Sequence, residues 1–281
     1  MHTLSTPQSA REFVWDARVR GKTVGIVPTM GALHRGHQGL MQQALDAGDA
    51  LLVSIFVNPT QFGEGEDFEG YPRDERADLS KVAEVSPDGA VFLPTVPMIY
   101  PPGFSTAVSV SNVGEPLCGS SRPGHFDGVA TVVSRLFGLV RPTRAYFGEK
   151  DYQQLTVIRQ VVRDLALPVE VVGVSTIREA DGLALSSRNT YLTAAEREVA
   201  ASLYRAIRSA DSAWRSGERS VERLCELARA EVDRSGFFRV DYIEVVDAGD
   251  LSPLKPGRAA LMAIAAWLGR ARLIDNGVLG R

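Results

Sequence analysis

Short apolar runs alternate with stretches of helically spaced apolar residues through the first two-thirds of the chain, and few folds accept that pattern. Thr23–Val27 is a strand-like run ended by Pro28, and Gly36–Ala47 then sets Leu40, Met41, Ala44 and Leu45 on one helical face. Leu51–Val57 is almost continuously apolar, as a strand covered on both faces must be, and it stops at Asn58-Pro59. Ala90–Leu93 reads as a further strand. Val129, Val132, Val133, Leu136, Phe137 and Val140 then trace a helix stopped by Pro142. The strand Ala145–Phe147 leads into a helix over Asp151–Ala166 with Leu155, Ile158, Val162 and Leu165 inward, and Pro168 precedes the strand Val169–Val174. Strand, helix, strand in this order is the pattern of a parallel α/β sheet.

After about residue 176 the pattern changes. Thr193 and Glu196 form a T-x-x-E capping box that opens a helix burying Val199, Leu203, Ile207 and Ala210. A second helix carries Val221, Leu224, Ala228 and Val232, and strand-like segments follow at Arg239–Val246, Ala259–Trp267 and Arg272–Ile274. The 281 residues suffice for two such domains. The expectation is an α/β fold: a parallel-sheet domain over residues 1–176 and a smaller α+β domain over 177–281. A formal charge of −3 gives no electrostatic case for nucleic acid or an anionic membrane surface. The apolar runs are too short to span a bilayer, and the polar Met1–Arg11 lacks a signal-peptide core, so a cytoplasmic location is expected. Cys118 and Cys225 stand far apart with no Cys/His cluster around them, which argues against a disulfide framework or structural zinc.

Two nucleotide motifs fail on inspection. Gly21-Lys22-Thr23 resembles the tail of a P-loop, but Asp16 stands where the first glycine is required and a strand follows rather than precedes it. Gly63-Glu64-Gly65 lacks the third glycine of a dinucleotide fingerprint, since Phe68 occupies that place. The segment from Pro28 to His37 is more informative, because it joins the first strand to the first helix, where open α/β sheets bind ligands. His34 and His37 bracket Gly36 there, so two imidazoles and free backbone N–H groups can face an anion such as a phosphate. Most single histidines are structural, but two of only four within three residues of each other weaken that explanation. A metal site ranks lower, since H-x-x-H supplies two ligands and nothing adjacent completes the set.

His34-Arg35-Gly36-His37 resembles the HxGH signature of the adenylyl-transferring superfamily of class I aminoacyl-tRNA synthetases and nucleotidylyltransferases. Longer strings are similar to the pantothenate synthetase (pantoate–β-alanine ligase) family: Val27–His37, Val53–Gly63, Tyr71–Arg73, Phe147–Leu155, Arg178–Asn189 and Arg272–Asn276. They occur in the family's order across nearly the whole chain. The resemblance implies a Rossmann-like N-terminal domain of the HxGH nucleotidylyltransferase type and a C-terminal lid. It also implies a homodimer, with no nucleic acid or membrane partner. The implied reaction is the ATP-dependent condensation of (R)-pantoate with β-alanine through pantoyl adenylate, releasing pyrophosphate and then AMP.

The same resemblance assigns residues. His34, His37 and Lys150 are the expected catalytic groups. ATP is expected at Met30, Gly31, Ala32, Leu33, His34, Arg35, Gly36 and His37, at Gly148, Glu149, Lys150 and Asp151, and at Ile177, Leu185, Ser186, Ser187 and Arg188. Ser186-Ser187-Arg188 is similar to the superfamily's KMSKS-like loop, where hydroxyls and a guanidinium grip the β- and γ-phosphates. Leu185 stands where many family members carry Met, an exchange that conserves volume. Gln61 and Gln154 are expected at pantoate and β-alanine; Val132 and Val133 are candidates for packing against the gem-dimethyl group, though their helical spacing alone marks them only as core. Asn58, Arg122 and His125 are candidate pocket neighbours, equally explained as polar loop groups. ATP implies Mg2+ held mostly by the triphosphate; its protein ligands are not assigned, and Asp78 is one candidate. Two rival readings are a nucleotidylyltransferase sharing only HxGH and the sheet, and a non-catalytic ATP-binding module. The presence of His37, Lys150 and Arg188 opposes the second.

Overall fold

The computed structural model describes residues 1–63, 66 and 68–281; Glu64 and Gly65 of the glycine pair weighed above lie outside them. The chain runs β1 (His2–Leu4), α1 (Pro7–Val19), β2 (Val24–Thr29), α2 (Arg35–Asp46), β3 (Ala50–Ile55), α3 (Glu75–Val85), β4 (Ala90–Phe92) and the short α4 (Val96–Ile99) and α5 (Cys118–Ser121). It continues with α6 (His125–Val140), β5 (Arg144–Gly148), α7 (Tyr152–Asp164), β6 (Glu170–Val174), α8 (Ala194–Ala200), α9 (Ser202–Arg215), α10 (Val221–Asp233), β7 (Phe238–Asp247), β8 (Ala260–Leu268) and β9 (Ala271–Val278). Two compact units result. The first comprises Met1–Val110, Arg122–Glu149 and Val157–Ser175; the second comprises Ser111–Ser121, Lys150–Thr156 and Thr176–Arg281.

The first unit is built on a six-stranded sheet in the order β1-β4-β3-β2-β5-β6, parallel throughout. From β2 the chain steps outward through β3 to β4, then returns to the other side of β2 as β5, so the order reverses at β2. The C-terminal end of β2 therefore lies at the switch point where such sheets leave a crevice. Leu51, Leu52 and Val53 are buried, as expected for a strand covered on both faces. Below the strands, the buried Asp49 carboxylate accepts hydrogen bonds from Tyr146 Oη (2.7 Å) and Arg144 Nη1 (2.6 Å). Burial first, and Asp49 second, push the Tyr146 phenol far above its ordinary value, so it stays a donor.

Pro28 does not end β2, contrary to the sequence expectation: it pairs with Ser54, and Thr29 pairs with Ile55. The hydrogen-bond directions explain why proline fits. The carbonyls of Thr23 and Thr29 accept from Ala50 and Phe56 on the β3 side, whereas that of Val24 accepts from Thr143 on the β5 side. Alternation places the missing N–H of Pro28 on the β5 side, beyond the last paired residue, Ile26. Helix α6 starts a turn before Val129 and buries Phe126, Gly128 and Ala130 besides the expected stripe; left-handed Arg141 (φ 56°) then ends it ahead of Pro142. Leu165 was expected inward but falls past the end of α7 and is exposed.

In the second unit β7-β8-β9 form an antiparallel sheet, with α9 and α10 packed against it through Leu203, Ile207, Leu224, Ala228, Met262 and Ile264. The Thr193–Glu196 capping box forms with both bonds in place, 2.8 and 3.3 Å. The single helix expected beyond it is two, α8 and α9, meeting at Ala201. Ala200, Ala201 and Ser202 are all buried, and three consecutive buried positions do not fit the one-sided stripe of a straight helix.

Candidate active site

The β2–α2 loop carries the HxGH residues, and its backbone is tightly wound. Gly31 (φ 84°) and Ala32 (φ 50°) are both left-handed, the second a conformation that costs an alanine energy. Asp78, on the first turn of α3 and 2% exposed, holds them there. Its Oδ2 accepts from Ala32 N (2.9 Å) and its Oδ1 from Leu33 N (2.7 Å). A Cβ on Gly31 would lie 2.9 Å from Asp78 Oδ2, so glycine is required both for its φ and for that approach. Asp78 therefore braces the loop through both of its carboxylate oxygens.

The loop delivers His34 to the N-cap of α2 and His37 to its third position, and the two rings form a capping box. His34 Nδ1 accepts from Gly36 N (3.1 Å), and His37 Nδ1 accepts from His34 N (3.2 Å). A ring nitrogen that accepts from an amide carries no proton, so in each neutral ring the proton sits on Nε2. The backbone thus fixes one tautomer in both imidazoles, whose centroids are 4.1 Å apart. The free amides expected at this helix start are not bare. Those of Gly31, Ala32, Leu33, His34 and Gly36 all donate within the unit, to Thr29, Asp78, His37 and His34.

Beyond β3, Asn58 organises a second polar cluster. Asn58 Nδ2 donates to Gln61 Oε1 (3.0 Å) and to Gly128 O (3.2 Å), while Asn58 Oδ1 accepts from Tyr100 Oη (2.8 Å) and Thr60 Oγ1 (3.0 Å). With its oxygen engaged, the buried Gln61 presents its amide Nε2 as a donor. The Gln61 carbonyl is held as well. His125 Nδ1–H donates to it (2.8 Å), His125 Nε2 accepts from Arg122 Nη1 (3.0 Å), and Arg122 Nη2 also donates to the same carbonyl (3.1 Å). Arg122 further pairs with Glu66; burial alone would raise the Glu66 carboxyl, but Arg122 outweighs it and holds the group below its usual range. A Cβ on Gly128 would meet Thr60 O at 2.3 Å, so α6 approaches this loop too closely for any side chain there. Val132 and Val133 are buried on the same helix.

The remaining expected residues divide between the units. Gly148 and Glu149 belong to the first; Lys150, Asp151, Gln154, Ile177, Leu185, Ser186, Ser187 and Arg188 belong to the second. Lys150 Nζ lies 3.7 Å from Asp151 Oδ1. A small hairpin, closed by an Arg178–Ala184 bridge and by Leu185 N donating to Ile177 O, leads into Ser186, whose Oγ caps Arg188 N at 3.3 Å. Of the adjacent glutamines, Gln153 is buried and its amide is spent on Cys118 N, Val113 O and Pro116 O, whereas Gln154 is half-exposed. Among the described residues no three His, Cys, Asp or Glu side chains could jointly hold a metal ion.

Comparison with known proteins decides among the readings of this arrangement. The pantoate–β-alanine ligase family model matches residues 2–278. The chain belongs to that family.

A pantothenate synthetase of Thermotoga petrophila is 47% identical over 100% of both chains. The crystal structure of the Thermus thermophilus pantothenate synthetase superposes with a TM-score of 0.92 at 46% identity, covering 99% of each chain. A pantoate–β-alanine ligase from Francisella tularensis, solved with "beta-gamma ATP" and β-alanine, gives a TM-score of 0.82 at 32% identity, covering 100% of this chain and 98% of that one. The Rossmann-like parallel sheet with a smaller antiparallel-sheet domain is the fold of these ligases. No helix of the described residues is long and apolar enough to cross a membrane.

The sequence reading named the ligase family's histidines and Gln61 but not the groups that hold them, Asp78 as a brace and Tyr100. The signal for Asp78 was present: an acidic residue four positions into a helix opened by Asp74 and Glu75, on the face of Val82, which is fully buried. Asp78→Asn leaves one acceptor where two backbone donors converge. Denaturant unfolding should register a loss of about 1–3 kcal/mol. Pyrophosphate release from ATP and pantoate should slow by roughly tenfold or more, because the His34 cap inherits the loop's geometry.

Proposed function

We propose that this chain activates pantoate with ATP as pantoyl adenylate and passes the pantoyl group to β-alanine. The observation that carries this is the His34–His37 capping box, with both Nε2–H donors set at the switch point of a pantoate–β-alanine ligase sheet. A pantoate carboxylate oxygen attacks the α-phosphorus and pyrophosphate leaves with the electron pair of the broken P–O bond. The neutral amine of β-alanine then attacks the acyl carbon, AMP departs, and the amide nitrogen loses its proton. A free carboxylate is too poor an acyl donor for the second step; the mixed anhydride supplies the leaving group.

In this reading His34 and His37 donate to phosphate oxygens as charge builds at the α-phosphorus, fixed in advance by the helix cap. Lys150 neutralises the phosphates, Ser186, Ser187 and Arg188 hold the departing pyrophosphate, and the segments Met30–Leu33, Gly148–Asp151, Ile177 and Leu185 line the nucleotide. Gln61 donates its Nε2–H to pantoate, with Gln154 as the second amide and Val132 and Val133 as apolar walls. The donor set suits Mg2+ arriving with the triphosphate rather than in a protein cage, since no cluster of three ligands occurs among the described residues; bound there it neutralises phosphate charge. Residues 177–281 act as a lid that keeps water from the acyl adenylate. A homodimer in the cytoplasm completes the reading.

A product assay with ATP, pantoate and labelled β-alanine tests it. AMP, pyrophosphate and pantothenate should appear one-to-one-to-one, and only with both acids present. Pyrophosphate with a nucleotide-containing conjugate and no amide would instead favour a nucleotidylyltransferase. His37→Ala should slow single-turnover adenylation by roughly two to three orders of magnitude, the usual loss for a preorganised donor. Gln61→Ala should weaken pantoate binding by about tenfold while ATP binding stays within about twofold, read by titration of each ligand. Equal losses for both ligands would mean general damage to the fold.

A further inference from the structure

Two adjacent residues of β9 have side-chain bonds that the reaction so far leaves unused. Asn276 Nδ2 donates to the main-chain carbonyl of Lys150 at 2.7 Å. Asp275, whose side chain is 3% exposed, accepts from Arg178 through both oxygens, Nη1 to Oδ2 at 2.6 Å and Nη2 to Oδ1 at 2.9 Å. Asp275 Oδ1 also accepts from the backbone N–H of Asn276 at 2.8 Å. All four residues belong to the second unit.

Each bond leads to a segment that handles phosphate in the proposed function. Lys150 lies in a single turn of 3-10 helix, Glu149–Asp151, between β5 and α7. One turn leaves its carbonyl outside any long ladder, so a side-chain donor from β9 fixes where the lysine stem begins. Arg178 starts the hairpin that ends at Ser186: it donates to Gly182 O at 3.0 Å, bridges to Ala184, and lies 4.2 Å over the Tyr204 ring. Neighbouring residues on a strand point to opposite faces, so this dipeptide serves one segment from each face of β9. An ion pair as buried as Arg178–Asp275 adds little net stability over an apolar replacement, which leaves orientation as its physical use.

We infer that Asn276 and Asp275 are positioning residues for adenylation: Asn276 sets the Lys150 backbone, and Asp275 sets the hairpin that presents Ser186, Ser187 and Arg188. The inference rests on the reading that Lys150 and Ser186–Arg188 engage the phosphates of ATP. Displacing a charged donor by about 1 Å costs on the order of a hundredfold in rate while leaving the remaining substrate contacts intact.

The test is a double-mutant cycle on single-turnover adenylation, using the full chain with Asn276→Ala, Lys150→Ala and both together. Asn276→Ala should slow pyrophosphate release by roughly ten- to a hundredfold, with pantoate affinity within about twofold and the melting temperature within about 2 °C. In the Lys150→Ala background the same substitution should change the rate by less than about twofold, because the residue it positions is gone. Asn276→Asp, isosteric but without the donor, should slow adenylation as the alanine variant does. Additive losses in the cycle, or an unslowed Asn276→Ala, would overturn the role of Asn276 while leaving Lys150 in place. A Lys150→Ala variant as fast as the unsubstituted chain would overturn this inference and the assignment of Lys150 together. For Asp275, the paired variant Arg178→Lys should raise the KM for ATP while sparing pantoate affinity; no change in either would remove Asp275 from the proposal.

Discussion

The chemistry of this ligase depends first on a carboxylate that never touches substrate in the proposed reaction. Asp78 accepts two backbone amides at 2.7 and 2.9 Å and thereby holds Gly31 and Ala32 in left-handed conformations. Ala32 would not stay there unaided, since a non-glycine residue with positive φ is strained. That turn puts His34 at the N-cap of α2, and the cap in turn fixes the protons of His34 and His37. The usual capping residues are Ser, Thr, Asp or Asn. Imidazole fills the same role through Nδ1, and in the neutral ring it keeps its N–H on Nε2, the donor that the proposed reaction uses.

The same economy recurs around Gln61. Its side-chain oxygen is taken by Asn58 and its main-chain carbonyl by His125 and Arg122. Both of its carbonyl oxygens are therefore oriented by protein donors, which sets the side-chain amide with Nε2 as its donor end. Tyr100 anchors Asn58, and burial raises its phenol despite the opposing bonds from Thr60 and Asn58, which keeps it a donor. Preorganisation of this kind matters more than the strength of any one bond, because a donor that must reorganise in the transition state gives back what it contributes.

The elements that hydrophobic periodicity governs were legible in the sequence. The strands around Leu51–Val53 and Ala145–Phe147 and the helices carrying Leu136 and Leu224 fall where apolar spacing put them. The misses have local causes. Helix α1 buries only Ala10, Val14 and Ala17, too small a stripe to stand out, although Thr6-Pro7-Gln8-Ser9 is a capping signature. Helix α3 buries an aspartate beside Val82, which hydrophobic patterning discards. Pro28 looked like a stop because the side of the strand its nitrogen faces is not written in the sequence. The histidines and Gln61 could be named from motif strings, but their tautomers and orientations could not, since those come from amides and carboxylates distant in the chain.

Lys150 shows how far contiguity in sequence can mislead. It follows β5 of the parallel sheet by two residues, yet the second unit claims it, together with Tyr152, whose hydroxyl donates to Ala248 O at 3.0 Å. The short segment Ser111–Ser121 is claimed likewise, tied down by Gln153 and by Ser121 Oγ donating to Asp241 at 3.0 Å. Within that unit β9 satisfies the backbone carbonyl of Lys150 through Asn276. A strand formed by residues 271–278 thus fixes the backbone of a lysine more than a hundred positions earlier. Reading RLIDN as a motif of contact residues would miss this, since Asp275 and Asn276 spend their hydrogen bonds on protein, and their value lies in what those bonds hold still.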